Sequence, residues 1–297
     1  KHMKTFGRVL TAMITSFNDD GSVNIENSVA IAEHLLNHGS DGLVVCGTTG
    51  ENPTMSRECK IALFKAIAES CGDKGTIIAN VGSNDTKVSV DFVKEVSAIP
   101  GIDGLLVVVP YYNKPNQQGQ YLHFKSIAEA TTLPIMVYNV PGRVGTGIFP
   151  ATLARLHKEY PHICAIKEAS GNLMIASEIK RLMPGDDFMV YSGDDGLTLP
   201  MLSVGGCGVV SVVSHVAGKD MNAMIQAYES GHNYEAIRIH QGLSEIIKAM
   251  FITTNPIPVK YAARKIGLPV GKFNLPMCEP TADEAAYIDK ALAEYLK

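Results

Sequence analysis

Short, unbroken apolar runs alternate along the chain with longer stretches in which apolar positions recur every three or four residues. The runs are Arg8–Thr15, Gly42–Cys46, Thr76–Val81, Gly104–Val109, Pro134–Asn139, Ile163–Lys167, Phe188–Ser192 and Gly208–Val213. They are rich in Val and Ile and bounded by Gly, Asp or Pro, the pattern of strands buried on both faces. Between them the spacing predicts helices over Ile25–His38, Ser56–Cys71, Asp85–Ile99, Gln118–Thr131, Pro150–Tyr160, Leu173–Met183, Leu197–Val204 and Lys219–Ser230. Strand–helix alternation means parallel strands joined by crossovers. Eight such units without a long spacer predict an α/β protein with a closed (β/α)8 architecture, the TIM barrel. An open doubly wound sheet competes, but it usually carries a Gly-rich dinucleotide loop after its first strand. Here that strand runs into Ser16-Phe-Asn-Asp-Asp-Gly21, which is no such loop.

The tail from Tyr234 onward is helical and has no partner strands: Tyr234–Thr253, a segment after Pro256, and a last helix opened by Thr281-Ala-Asp-Glu284. Thr with Glu three residues on is a capping box. The expected organisation is therefore a catalytic barrel over 3–233 and a helical region over 234–297, which completes the core or makes an oligomer contact.

Composition narrows the class. Of 297 residues, 46% are hydrophobic and 19% charged, enough apolar material for a large core and too much for a disordered chain. Lys and Arg number 26 against 30 Asp and Glu, and no basic run marks a nucleic-acid partner. The longest clean apolar run, Leu105–Val109, is far too short to cross a membrane. Lys1 and His2 precede Met3, which is expected to be the natural start, and no charged-then-apolar leader follows. The six cysteines are scattered without a C-x-x-C, and several sit inside apolar runs, as Cys46 and Cys164 do. They read as reduced, buried cysteines of a cytoplasmic protein.

In a barrel of this kind catalytic groups gather at the C-terminal ends of the strands. Lys167 closes the sixth run, with Ala165 on its face and Cys164 and Ile166 on the other. Desolvation at a barrel mouth would lower its pKa and free the amine to attack a ketone. A strand-end lysine that merely reaches solvent is the plainer alternative. Tyr138 ends the adjacent fifth run, where a phenol could give and take the protons that imine formation needs; a core tyrosine with a satisfied hydroxyl would look the same. Gly47-Thr-Thr-Gly-Glu51 follows the second run. Thr48, Thr49 and nearby N–H groups make a cradle for a small carboxylate, or only a turn. Arg143, on a Pro/Gly-rich loop, offers a fork of donors suited to a second carboxylate, or is a surface arginine. Asp194 and Asp195 are adjacent and diverge, so helix capping is favoured over metal binding. His34 and His38 fall in the last turns of the first helix, where the dipole favours His. Neither pair is taken as a metal site.

Taken together these residues resemble the pyruvate-dependent class I aldolases and, among them, the dihydrodipicolinate synthases. The similarity runs from Ala12-Met-Ile-Thr15 to Asn255-Pro-Ile-Pro-Val-Lys260. Gly-Thr-Thr-Gly-Glu and the strand-end Lys167 belong to the wider family; Tyr138-Asn-Val-Pro-Gly-Arg143 with Tyr111-Tyr112 is the narrower signature. The resemblance implies that Lys167 forms a Schiff base with pyruvate, whose enamine attacks L-aspartate 4-semialdehyde, the opening step of the route to diaminopimelate and lysine. It implies Tyr138 as general acid/base, with Thr49 and Tyr112 as proton relay. Tyr112 would reach into the adjacent subunit of a homo-oligomer, a dimer at least and a dimer of dimers by family habit. Thr48 and Thr49 would hold the pyruvate carboxylate and Arg143 that of the semialdehyde, and the carbonyls of Gly193 and Val210 would line the lysine. No metal or organic cofactor is implied.

N-acetylneuraminate lyases and 2-keto-3-deoxygluconate-type aldolases share the Lys and Tyr, but an arginine at position 143 favours the synthases. A non-catalytic keto-acid-binding barrel and a metal-dependent lyase using Asp194 and Asp195 are the more distant readings. One region departs from the family. Lysine-inhibited members hold the lysine ammonium with an acid, whereas the matching stretch here is Asn52, Pro53, Arg57, Lys60, Asn84, Val88 and Tyr111. Val88 stands where the acid is wanted, and Arg57 and Lys60 add positive charge, so weak or absent feedback by lysine is expected.

Overall fold

The computed structural model describes residues 6–297, so the expected start at Met3 lies outside the described residues. Eight parallel strands close on themselves in chain order: β1 (Val9–Ala12), β2 (Gly42–Val45), β3 (Thr76–Asn80), β4 (Gly104–Val108), β5 (Ile135–Asn139), β6 (Ile163–Glu168), β7 (Met189–Ser192) and β8 (Gly208–Ser211). The last ladder, Val9 to Val209 and Leu10 to Val210, joins β8 to β1. Nearly every strand residue is buried, because one face fills the barrel and the other meets the helical ring. That double burial explains why the strands read as solid apolar runs.

The ring comprises α1 (Ile25–Asn37), α2 (Arg57–Cys71), α3 (Thr86–Ser97), α4 (Gln117–Ala128), a short α5 (Pro141–Val144), α6 (Pro150–Glu159), α7 (Leu173–Leu182), α8 (Thr198–Ser203) and α9 (Ser214–Glu229). Their starts are chemically explicit: Asn24, Ser56, Asp85, Asn116 and Asn172 each accept a backbone N–H of the first turn. After α9 come α10 (Asn233–Gly242), α11 (Ser244–Met250), α12 (Ile257–Lys265) and α13 (Ala282–Tyr295). Thr281 and Glu284 form the expected capping box.

Several details differ from the sequence pattern: the first strand ends at Ala12, short of the run's end at Thr15, and α5 was not foreseen. Val212 and Val213 are not strand; they lead into α9, which starts at Ser214 and bends at Ala217. Apolar character extended the eighth run because both valines are buried, not because they pair. The stretch Tyr234–Thr253 is two helices, which meet at Leu243. Asp195 does not cap the helix that follows: its buried carboxylate accepts the Ser211 hydroxyl and the N–H groups of Val212 and Val213, at 3.0 and 2.9 Å, tying β7 to the end of β8. Burial nonetheless pushes its pKa up, against those three bonds. Asp194 keeps the capping role through Gly196 N–H.

The chain after α12 folds back over the loop that follows β1. Gly271 bridges to Phe17, and Ser16 Oγ donates to the carbonyl of Pro269. Gly271 has φ +67°, and a Cβ there would meet the Phe17 carbonyl oxygen at 2.1 Å, so only glycine fits. The C-terminal helices thus reach the mouth of the barrel where the strands end.

Candidate active site

Lys167 and Tyr138 are direct ladder partners on β6 and β5. A bulge sets this register. Ile135 pairs with Ile163 but Met136 pairs with Ala165, skipping Cys164. Continued without the slip, Tyr138 would face Ile166 and the phenol would lie on the wrong side of the sheet. As built, the Lys167 ammonium lies 4.0 Å from the centre of the Tyr138 ring. Both side chains are over nine-tenths buried. Glu168, next on β6, turns away; its carboxylate accepts Asn139 Nδ2 at 3.0 Å and Ser170 N–H at 2.7 Å. Gly193, at the end of β7, donates its N–H to the carbonyl of Glu168. A Cβ there would come within 2.7 Å of Ala169 Cβ and 3.1 Å of Lys167 Cγ, so this glycine makes room for the lysine stem. Val210 is buried on β8.

A cavity of about 1060 Å³ opens above Tyr138, with Thr48, Tyr112, Arg143 and Asn80 in its walls. This is large enough for two small substrates. The two threonines part company here. Thr48 lines the cavity, whereas Thr49 is buried and its Oγ accepts Asn255 Nδ2 at 2.9 Å. The loop that carries them is tight: Gly50 and Asn52 both donate to the carbonyl of Gly47, and Glu51 is left-handed at φ +61°. Glu51, read from the sequence only as part of a motif, is fully buried and pairs with Lys260 of α12 at 2.7 Å. Lys260 also donates to the carbonyl of Lys272 and lies 4.5 Å from the centre of the Phe17 ring. Burial lowers the Lys260 pKa, and the Glu51 carboxylate works against that loss.

Arg143 lies in α5, which Pro141 opens and left-handed Gly145 closes. Its Nη2 donates to the carbonyl of Asn255 at 3.2 Å. Tyr112 N–H donates to the carbonyl of Val144, which fixes the tyrosine loop to the arginine helix. Tyr112 itself is left-handed at φ +73° and 89% exposed, so its ring stands clear of its own chain. A non-glycine residue in that region costs about 1–3 kcal/mol, a strain typical of functional loops.

Asn52, Arg57, Lys60 and Val88 surround a smaller cavity of about 120 Å³. The charge there is less than the sequence suggests. Arg57 is taken up by Glu95, at 2.8 and 2.5 Å, and stacks on Phe92, while Lys60 pairs with no carboxylate among the described residues. Burial lowers the Lys60 pKa. Asn84 donates to the carbonyl of Tyr111, and Pro53 follows Asn52 in a one-turn 3-10 helix. His34 and His38 stack at 3.9 Å between ring centres, with His38 Nδ1 against the carbonyl of His34. Cys46, Cys71 and Cys164 are buried as expected, but Cys59 and Cys207 are half-buried and Cys278 is exposed. Among the described residues no group of three or more His, Cys, Asp or Glu is arranged to hold a metal ion, and no helix is long and apolar enough to cross a membrane.

The sequence model of the Dihydrodipicolinate synthetase family matches residues 5–295. The chain is 51% identical to 4-hydroxy-tetrahydrodipicolinate synthase of Desulforamulus reducens, over 94% of each. The fold superposes on dihydrodipicolinate synthase of Bacillus anthracis with a TM-score of 0.94 at 42% identity, covering 98% of this chain and 99% of that one. It superposes equally well on the lysine-bound enzyme of Cyanidioschyzon merolae, with a TM-score of 0.95, 42% identity and 98% coverage of both. By motif, barrel and overall similarity, the chain belongs to the dihydrodipicolinate synthetase family.

Proposed function

We propose that this chain condenses pyruvate with L-aspartate 4-semialdehyde to 4-hydroxy-tetrahydrodipicolinate, on the route to diaminopimelate and lysine. The observation that carries the reading is the buried Lys167 ammonium 4.0 Å from the centre of the ring of Tyr138, which lines a cavity with Arg143 in its wall. The neutral Lys167 amine attacks the ketone of pyruvate, water leaves, and a protonated imine remains. Loss of a methyl proton gives the enamine, whose carbon attacks the aldehyde of the second substrate. The substrate's own amine then attacks the imine carbon and displaces Lys167, closing the ring.

Tyr138 moves the protons, being the nearest phenol to the amine. Thr48 suits the relay better than Thr49, because it shares the cavity wall with Tyr138 and Tyr112. Thr49, buried beside Asn255, suits the pyruvate carboxylate, and Arg143 the semialdehyde carboxylate. The carbonyls of Gly193 and Val210 would flank the lysine. The exposure of Tyr112 supports a homo-oligomer in which it completes a neighbour's site. A cytoplasmic location fits a biosynthetic enzyme of this kind.

The test is intact mass after pyruvate and borohydride, with peptide mapping and Lys167→Ala as control. A reduced pyruvyl adduct on Lys167, followed by turnover with aspartate semialdehyde and not with sugar aldehydes, is the expected result. A folded protein without adduct would refute the imine mechanism.

A further inference from the structure

Asn255 joins the two groups assigned to the two substrate carboxylates. Its side-chain Nδ2 donates to Thr49 Oγ at 2.9 Å, and its main-chain carbonyl accepts Arg143 Nη2 at 3.2 Å. It does so from 206 residues away in the sequence, just ahead of α12. The same two segments are pinned again at Glu51 and Lys260. Building on the proposed function, we infer that Asn255 is a positioning residue that turns the Thr49 hydroxyl into a donor for the pyruvate carboxylate.

A threonine hydroxyl has one proton and accepts through its lone pairs. While Asn255 donates to the oxygen, that proton remains free, which is what a carboxylate requires. The reverse amide orientation would draw the Thr49 proton to Oδ1 and spend it. The structure keeps the first orientation although Oδ1 is then buried with no partner among the described residues. The Arg143 contact differs in kind, since it uses the main chain and survives a change of side chain. The inference therefore separates the two substrates.

Borohydride trapping over a range of pyruvate concentrations, with steady-state kinetics in both substrates, tests it on the parent, Asn255→Ala, Asn255→Asp, Thr49→Val and the Asn255→Ala/Thr49→Val pair. Asn255→Ala raises half-saturating pyruvate about fivefold, the worth of one hydrogen bond. Asn255→Asp raises it about tenfold or more, because a carboxylate accepts the Thr49 proton. The semialdehyde KM stays within about twofold in Asn255→Ala, and that substitution adds nothing further in the Thr49→Val background. Equal shifts for both substrates, or independent multiplication of the Asn255 and Thr49 effects, would overturn the inference and mark Asn255 as merely structural. Should Asn255→Asp fail to fold, the Ala and Val cycle decides alone. A parent that forms no adduct refutes the proposed function, whereas a parent with adduct and unmoved variants refutes only the role of Asn255.

Discussion

The Glu51–Lys260 pair yields the most demanding stability prediction. Both side chains are essentially without solvent contact, at 1% and 0% exposure, and the ammonium–carboxylate distance is 2.7 Å. Lys260→Met keeps the stem among Phe17 and Phe273 but removes the charge. Among the described residues, the Glu51 carboxylate then retains only the Asn274 N–H at 3.1 Å. Leaving one member of a buried pair uncompensated costs about 3–5 kcal/mol, whereas replacing both by neutral groups of like volume is often close to neutral. At about 2–4 °C per kcal/mol for a chain of this size class, Lys260→Met should lower Tm by about 6–20 °C. The double variant Glu51→Gln/Lys260→Met should recover most of that loss. Thermal melts by circular dichroism at fixed scan rate, backed by denaturant titration, read both numbers. A single variant within about 1 kcal/mol of the parent, or a double variant no better than the single, would refute the reasoning.

Three further outcomes are expected. Gly193→Ala should cut kcat/KM about tenfold or more while the protein stays folded, because the new Cβ intrudes on Ala169 and Lys167 Cγ; unchanged borohydride trapping would disprove this. His215 donates Nδ1–H to the carbonyl of Val212 and accepts Ile14 N–H on Nε2, and burial lowers its pKa from 6.5 to about 4. Its stabilisation is therefore complete above the unfolded value and is lost as pH falls from about 6.5 toward 4, about 3 kcal/mol in all. His123, lowered to about 4 as well, adds in the same direction, so His215→Gln should remove part of the acid slope of Tm, and an unaltered slope would refute the assignment. Lysine titration should show weak or no inhibition, since Val88 supplies no acid and Lys60 repels an ammonium; strong inhibition at sub-millimolar lysine would sink that expectation.

What the sequence disclosed follows from the range of each interaction. Double burial makes barrel strands conspicuous, and caps such as Ser56 and Thr281 lie within three residues of what they hold. Lys167, Tyr138, Thr48 and Arg143 could be placed at one end of the barrel from the sequence because each ends or follows a strand. The bulge at Met136, by contrast, leaves no local trace, though it alone puts phenol and amine side by side. Asn255 and Lys260 act on the second strand's loop across more than 200 residues, so no periodicity reports them. Thr48 and Thr49 are neighbours of one residue type, and only burial tells them apart. The break between β8 and α9 was hidden because a carboxylate 17 residues upstream serves the N–H of Val212.

The long reach from α12 to the threonine loop also bears on synthesis. A ribosome adds about 5–20 residues per second, and Glu51 precedes Lys260 by 209 positions. The threonine loop therefore waits about 10–40 seconds for the segment that neutralises and braces it. A nascent barrel can assemble strands in that interval, yet it carries a carboxylate that must stay hydrated. Only a chain extended past Lys260 can shield that charge, so burial of the threonine loop is a late event in the making of this barrel.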